Sequence, residues 1–361
     1  MEFDDGALPL TRAQLDIWLA QETGHAGSDW QIGMLMKVEG TLDRDALEWA
    51  LQRAMREADP IRAAFFELDG RVFQRVIDYP DIELDFHDLS DSGDPAREAQ
   101  EFALSIQRKT MPFNGPLFKY ALFQTGPAEF YLFGCFHHIV IDGAGISLLV
   151  NRVASIYSAT ISGELIPPAF FGSLRDLIGC ESEYAASSDY HDDESYWSTH
   201  LPAVSGPDNG LLEAGVDAES DWRSAPVPLD PAVLRRVDEL AHAWNMPRTS
   251  VIVAATALLV RSRHAESSEV VMGFPVGRRV RPELKTLPGM AAGVVPLVLR
   301  TQAESSVSNF CKQVDTRIQE ALKHQRFPVH ALERGTQTGD RMVINFFPAA
   351  FALDFGGAPR R

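Results

Sequence analysis

The chain is poor in cysteine, and its few cysteines are not placed to form a pair. Cys135, Cys180 and Cys311 are scattered along 361 residues, with no C-x-x-C spacing between any two of them. This pattern excludes a disulfide framework of the kind that supports small secreted domains. We therefore expect a reducing compartment and predict that the protein is cytoplasmic.

Positive charge and long apolar runs are also scarce. Lysine and arginine total 33 against 50 acidic residues, which gives a net charge of −17. Such a balance disfavours nucleic acid and anionic membranes, because both are bound mainly by clustered basic side chains. The longest apolar run, residues 251–260, is too short to span a bilayer. The acidic N-terminus does not resemble a signal peptide. From the charge balance and the short apolar runs, we predict no nucleic-acid or membrane partner.

What the chain contains is typical of a globular protein with more than one core. It is 45% hydrophobic and 23% charged, and its length exceeds what a single core usually serves. Pro167-Pro168 interrupts a helical pattern, residues 187–194 are polar and acidic, and residues 202–210 are rich in proline, glycine and serine. We predict an N-terminal lobe over residues 1–175 and a C-terminal lobe over residues 176–361.

Local signals predict a mixed α/β class. Thr11 and Gln14 form a capping box, Asp43 and Asp94-Pro95 are helix starts, and Asp69-Gly70 is a hairpin turn. We expect the helices of the first lobe to pack on one mostly antiparallel or mixed sheet. Apolar periodicity predicts further helices and strands in the second lobe, with the strands near residues 270–274, 294–299 and 342–347.

The stretch from Phe136 to Gly143 combines polar groups with strong flanking signals. An aromatic, apolar run over residues 131–136 predicts a buried strand, and helical spacing of apolar residues follows from Ile146. His137, His138 and Asp142 therefore lie where a strand ends and a turn begins, a common place for catalytic side chains. Two core histidines followed by a helix-capping aspartate are the structural alternative.

Several chemistries lack their usual motifs here. No third ligand or H-x-x-H spacing indicates a metal, no G-x-S-x-G is present, and Ser147 falls inside the predicted helix. Gly143-Ala144-Gly145 does not extend to G-x-G-x-x-G, so a dinucleotide is not indicated. What remains is a histidine that takes a proton from an attacking amine or hydroxyl, or hydrogen-bonds it into place. The backbone N–H of Gly143 could then help to stabilise an oxyanion.

Five motifs, in order, resemble those of nonribosomal peptide synthetase condensation domains. His137-His138-Ile139-Val140-Ile141-Asp142-Gly143 matches their HHxxxDG signature. The others are residues 11–18 (S-x-A-Q-x-x-x-W), residues 56–65 (R-H-E-x-L-R-x-x-F, with departures at Ala58 and Pro60 but with Arg62 as the second arginine), residues 272–278 (I-G-T-P-V-A-G-R, one residue shorter) and residues 324–328 (H-Q-x-V-P). They are spread in family order from residue 11 to residue 328, which makes the resemblance far more specific than one motif would be.

This resemblance implies a chloramphenicol-acetyltransferase-like fold with two similar lobes in a V-shaped pseudo-dimer. Because family members continue with further strands and a helix, we expect the C-terminal lobe to be incomplete relative to the family. The implied roles place His138 as the histidine that assists the nucleophile and His137 as a residue that shapes the site. Gly143 would provide the turn and a close approach to substrate. Asp142 would be structural and would pair with Arg62 inside the N-terminal lobe.

The implied reaction joins two thioesters held on carrier proteins. The amine of a carrier-bound acceptor attacks a carrier-bound aminoacyl or acyl donor, which forms an amide and frees the donor thiol. No cofactor or metal would be bound, since substrates would arrive on phosphopantetheine arms. The implied partners are donor and acceptor peptidyl carrier proteins and the adenylation domain of the same assembly line.

Three alternatives to condensation remain from the sequence. Epimerisation domains share HHxxxDG, although Ala144-Gly145-Ile146 after the motif favours condensation. A standalone acyltransferase of the same fold could use coenzyme A or carrier thioesters, or alcohol acceptors. A non-catalytic platform that recruits a partner is the third alternative, and it is disfavoured because His138 and Asp142 are both present.

Overall fold

The computed structural model describes residues 6–22, 27–79, 82–201, 229–263, 269–301, 305–329, 332 and 342–346. The chain divides into two compact units, each with a core of its own. The first comprises the described residues of Met1–Ala185 together with Arg279–Ala292, and the second those of Ala186–Arg278 and Gly293–Phe347. Both units contain helices and strands, so the predicted mixed α/β class is confirmed.

The first unit contains two sheets. Its strands are β1 (Leu8–Pro9), β2 (Gln31–Glu39), β3 (Ala63–Leu68), β4 (Arg71–Val76), β5 (Leu84–Asp88), β6 (Phe118–Gly126) and β7 (Glu129–His137). Strands β1-β4-β3 form an antiparallel sheet, and β2-β7-β6-β5 form a mixed sheet in which only β5 and β6 run parallel. The sequence predicts a single sheet here; the structure has two because the β3–β4 hairpin pairs with β1.

The helices of the first unit are α1 (Arg12–Glu22), α2 (Arg44–Glu57), α3 (Pro95–Arg108), α4 (Gly143–Ser162) and α5 (Leu174–Ala185). All but α5 begin where local signals predict a helix. The Thr11–Gln14 capping box is reciprocal, with Gln14 N donating to Thr11 Oγ1 and Thr11 N to Gln14 Oε1. Asp43 and Asp94 accept from the first turns of α2 and α3. Asp69 and Gly70 both have positive φ, at 51° and 70°, as the predicted hairpin turn requires.

Strand β7 and helix α4 occupy the centre of the first unit. β7 lies between β2 and β6, with Gln31 opposite His137 and Phe118 opposite Phe136. α4 is long and apolar enough to cross a bilayer by length and composition alone, but most of its apolar window is buried in the core. It is therefore a core helix, and the histidine-containing turn connects β7 to it.

The second unit is built on a two-stranded antiparallel sheet. Its elements are α6 (Ser188–His200), α7 (Pro231–Trp244), α8 (Arg248–Arg263), β8 (Glu269–Val276), β9 (Gly293–Arg300) and α9 (Val307–Lys323). The strands predicted near residues 270 and 294 are confirmed. The strand predicted over 342–347 is present only as one bridge between Gly273 and Val343, and residue 347 lies outside the described part of the chain.

The lobe boundary predicted after residue 175 requires correction. That position lies inside α5, and the division falls after Ala185. α5 belongs to the first unit because its buried Leu177 and Cys180 pack against Leu284, Leu287 and Ala291. The same cluster places the β8–β9 connection, which the prediction assigned to the C-terminal lobe, in the first unit.

Candidate active site

The polar groups of the motif lie on a short turn between β7 and α4. His137 ends β7, residues 138–140 turn, and Asp142 caps α4. Ile139, Val140 and Ile141 are fully buried in the core of the first unit. Three consecutive buried apolar side chains fix the turn, so the polar residues on either side of them are held in place.

His137 is enclosed by protein and held by two hydrogen bonds. It is completely buried; its Nδ1 accepts from Ile139 N at 3.2 Å, and its Nε2 lies 3.1 Å from Gln21 Oε1. Burial, together with the nearby His138, lowers the pKa of His137 to about 4. The imidazole is therefore neutral near pH 7, with Nδ1 unprotonated and Nε2 donating to Gln21. This arrangement suits a residue that shapes the site.

His138 is the less constrained of the two histidines. It is half-buried, and its backbone N donates to the Trp30 carbonyl at 2.6 Å. The Trp30 ring meets the imidazole edge-on, with centroids 6.5 Å apart. Its Nδ1 is buried and has no hydrogen-bond partner within the described part of the chain. Since no protein group occupies either ring nitrogen there, this imidazole is available for chemistry.

Asp142 is the most heavily bonded group of the motif. Its carboxylate binds Arg279 through two bonds of 2.7 and 2.8 Å, and it accepts from Gly145 N at 2.9 Å. The backbone N–H groups of Ala291 and Ala292 donate to Oδ2 at 3.0 and 2.9 Å. The side chain is only 2% exposed. A buried carboxylate with five donors is structural, because it has no free oxygen left for substrate.

The predicted pairing of Asp142 with Arg62 is wrong. Arg62 instead donates to Ile77 O and Asp78 Oδ1, each at 3.1 Å, and to Arg56 O at 3.2 Å. It therefore fastens the end of α2 and the entry to β3 to the chain after β4. The cationic partner that a buried Asp142 requires comes from Arg279, which also donates to the carbonyls of Leu287 and Gly289.

Gly143 and Gly145 have different surroundings. Gly143 is half-buried at the first position of α4, and its carbonyl accepts from Ser147 Oγ at 3.1 Å. At Gly145 an added Cβ would lie 2.8 Å from Ile141 Cγ1 and 3.2 Å from the backbone of Gly289. α4 therefore approaches the segment that carries Arg279 most closely at Gly145, and the close approach of Gly143 to substrate stays a prediction.

Sequence reasoning missed four residues that build this site. Arg279 directly follows the motif at residues 272–278, and that adjacency was the available signal. Trp30, Gln21 and Gly289 carry no local signal, because their contacts depend on pairing between segments far apart in the chain. Within the described residues, no group of three or more histidine, cysteine or carboxylate side chains is arranged to hold a metal ion.

A second buried ion pair supports α4 further along. Arg152 is 1% exposed and binds Glu57 through bonds of 2.6 and 2.9 Å. Glu57 belongs to the second motif and lies at the end of α2, so this pair joins α2 to α4. The helix that follows the histidines is thus fixed at its N-terminus by Asp142 and along its length by Arg152.

Comparison with known proteins gives one consistent result. A family model described as the Condensation domain matches residues 4–354. The chain is 28% identical to a dimodular nonribosomal peptide synthase of Bacillus subtilis (strain 168), over 96% of this chain and 15% of that protein. It is 25% identical to enterobactin synthase component F of Escherichia coli O157:H7, over 97% of this chain and 28% of that protein. The chain thus spans less than a third of either relative.

Solved structures agree in fold. The first condensation domain of the calcium-dependent antibiotic synthetase, in complex with a substrate analogue, has a TM-score of 0.86 and 27% identity, covering 97% of this chain and 83% of that one. A mutant starter condensation domain of rhizomide synthetase, in complex with C8-CoA and Leu-SNAC, has a TM-score of 0.84 and 29% identity, covering 98% and 81%. With its ordered motifs and the match over residues 4–354, the chain belongs to the condensation-domain family of nonribosomal peptide synthetases.

Proposed function

We propose that the chain forms an amide bond between two thioester substrates, with His138 at the reacting atoms. The amine of an acceptor attacks the carbonyl carbon of an aminoacyl or acyl thioester donor. The C–S bond breaks, and the proton lost by the amine leaves with the donor thiol. Because aminolysis of a thioester is favourable, the protein mainly has to position two reactants and provide one polar contact.

The observation that carries this proposal is the difference in hydrogen bonding within the motif. Asp142 is saturated by five donors, and His137 is buried, neutral and bonded at both nitrogens. His138 is half-buried, and its Nδ1 has no partner among the described residues. By elimination, His138 is the group that contacts the substrate, and the other two hold the turn that presents it.

The substrates and partners follow from the family. We propose donor and acceptor peptidyl carrier domains as partners, with the substrates on their phosphopantetheine arms and with an adenylation domain of the same assembly line supplying them. No cofactor would be bound by this chain itself. We also propose a cytoplasmic location, because the carrier-bound thioesters are made in the same compartment as the synthetase that uses them.

A standalone acyltransferase that uses acyl-coenzyme A is the second candidate. The observation that favours it is the solved rhizomide synthetase domain, a neighbour in complex with C8-CoA and Leu-SNAC. Coenzyme A and a carrier arm end in the same pantetheine thiol, so geometry at His138 alone would serve either donor.

One assay distinguishes these functions. The chain is mixed with octanoyl-loaded donor carrier and leucyl-loaded acceptor carrier under single-turnover conditions, and intact-mass spectrometry follows the acceptor carrier. Octanoyl-coenzyme A replaces the donor carrier in a parallel reaction, and an alcohol replaces the acceptor in another. Amide formed from the two carriers, and much more slowly from coenzyme A, is expected. Faster transfer from coenzyme A would favour the acyltransferase, and binding without any product would contradict catalysis.

A further inference from the structure

The two nitrogens of the His138 ring have different surroundings. Nδ1 is enclosed by protein and has no hydrogen-bond partner in the described part of the chain. The described residues provide no partner for Nε2 either, but that nitrogen is not enclosed in this way. The half-buried side chain therefore presents its Nε2 edge outward and its Nδ1 edge to the protein.

Trp30 contacts His138 through both its backbone and its ring. It ends the 3-10 turn Gly27–Trp30 just before β2, and its carbonyl accepts the backbone N–H of His138 at 2.6 Å. The indole meets the imidazole edge-on, at 6.5 Å between centroids and 72° between planes. The indole Nε1 is itself buried without a partner among the described residues. With both nitrogens enclosed, solvent does not reach this side of the imidazole.

An enclosed ring nitrogen without a partner favours one neutral form of histidine over the other. If Nδ1 carried the proton, a buried N–H would remain unbonded, and unbonded buried N–H groups are rarer in proteins than unbonded acceptors. If Nε2 carries the proton, the N–H points to the open side, where water or substrate can accept it. Which nitrogen is protonated is set by what surrounds the other one.

We propose that Trp30 is a positioning residue that favours the tautomer of His138 with its proton on Nε2. It does so by fixing the His138 backbone through its carbonyl and by keeping water away from Nδ1 with its ring. The resting enzyme would then present an N–H donor to the substrate rather than a free lone pair.

The consequence for the reaction rests on the proposed function. A donor at Nε2 can hydrogen-bond the thioester carbonyl oxygen as negative charge develops there during attack by the amine. The amine proton then passes to the departing thiolate, directly or through water, as the C–N bond forms and the C–S bond breaks. His138 takes up no proton in these steps, and atoms and charge balance without proton transfer to the imidazole.

Ring 15N–1H correlation spectra of histidine-labelled protein test this without any substrate. Loss of one ring system in His138→Ala assigns His138, and loss of another in His137→Gln assigns His137. His137, whose Nδ1 accepts a backbone bond, is an internal standard for the form protonated at Nε2. We expect His138 at pH 7.5 to show the same pattern, with Nδ1 at the deshielded, unprotonated position. A wild-type His138 protonated at Nδ1 would overturn the proposal.

Variants of Trp30 test its part in this arrangement. Trp30→Ala, checked for folding by circular dichroism, should admit water to Nδ1 and shift His138 toward a mixture of the two forms, while His137 stays unchanged. Trp30→Phe keeps a ring and should retain the wild-type pattern. Trp49→Ala, at an exposed tryptophan of the same unit, is the control. If Trp30→Ala does not fold, Trp30→Leu replaces it. A folded variant with an unchanged His138 pattern would refute the role of Trp30, whereas absence of amide product would refute only the proposed function.

Discussion

At the scale of single residues, two buried polar groups of the motif differ in the contacts that hold them. His137 is fully buried, and the cost of desolvating an imidazolium lowers its pKa to about 4. Asp142 is also buried, but Arg279 and three backbone N–H groups bind its side-chain oxygens. The polarity of the site is thus set by the contacts that each group makes.

Acid should destabilise the protein through His137. The imidazole has a pKa near 6.5 in the unfolded chain and near 4 in the folded one. The unfolded state therefore binds more protons between these values, so this contribution is complete above about pH 6.5 and falls as the pH drops toward 4. Between pH 7 and pH 5 we expect the wild type to lose about 2 kcal/mol more free energy of unfolding than His137→Gln. Urea unfolding at both pH values measures this, and equal losses would contradict it.

The partner of Asp142 can be tested by a double-mutant cycle. Asp142→Ala and Arg279→Ala should each cost about 3–5 kcal/mol of unfolding free energy, because each leaves a buried charge unpaired. The double variant should cost little more than either single one. Arg62→Ala is the matched control, and its effect should add to that of Asp142→Ala within about 0.5 kcal/mol, since the two share no hydrogen-bond partner. Strong coupling of Asp142 to Arg62, without coupling to Arg279, would restore the pairing that the sequence suggested.

At the scale of elements, contacts between residues close together in the chain could be predicted from the sequence, and contacts between distant residues could not. The capping box at Thr11, the cap at Asp43 and the Asp69-Gly70 hairpin are all confirmed, because each depends on neighbours within a few residues. The partner of Asp142 is 137 residues away, and no local pattern encodes such a contact. The parallel pairing of β5 with β6 likewise depends on the tertiary fold.

The packing of α4 against the segment that carries Arg279 should depend on a glycine. Gly145→Ala would place a methyl group 2.8 Å from Ile141 and 3.2 Å from the backbone of Gly289, so we expect a loss of about 1–3 kcal/mol. Gly179→Ala, in α5, meets nothing within 4 Å and should be neutral or stabilising by up to about 1 kcal/mol. Thermal and urea unfolding of both variants provide the comparison. If Gly145→Ala were as stable as Gly179→Ala, the packing of α4 at Gly145 against Gly289 would be looser than these distances indicate.

At the scale of the whole molecule, the motifs identified the family, and the structure corrected how the chain is divided. A break in composition suggested a boundary after residue 175, yet α5 and residues 279–292 share a small core in the first unit. The connection between β8 and β9 belongs to the first unit, although both strands belong to the second. Composition cannot reveal this, because the apolar residues of the connection look the same in either unit. The family assignment did not depend on the boundary, since the matched motifs lie on both sides of it.

The central claim is that His138 acts on the substrate while the rest of the motif holds it in place. The most direct test is the single-turnover rate of amide formation between octanoyl- and leucyl-loaded carriers, measured for the wild type and His138→Ala at matched folded content. We predict a loss of about 10²–10³-fold for His138→Ala, as for removal of one donor to a developing oxyanion, with Trp49→Ala at the wild-type rate. An undiminished rate in a folded His138→Ala protein would contradict the account.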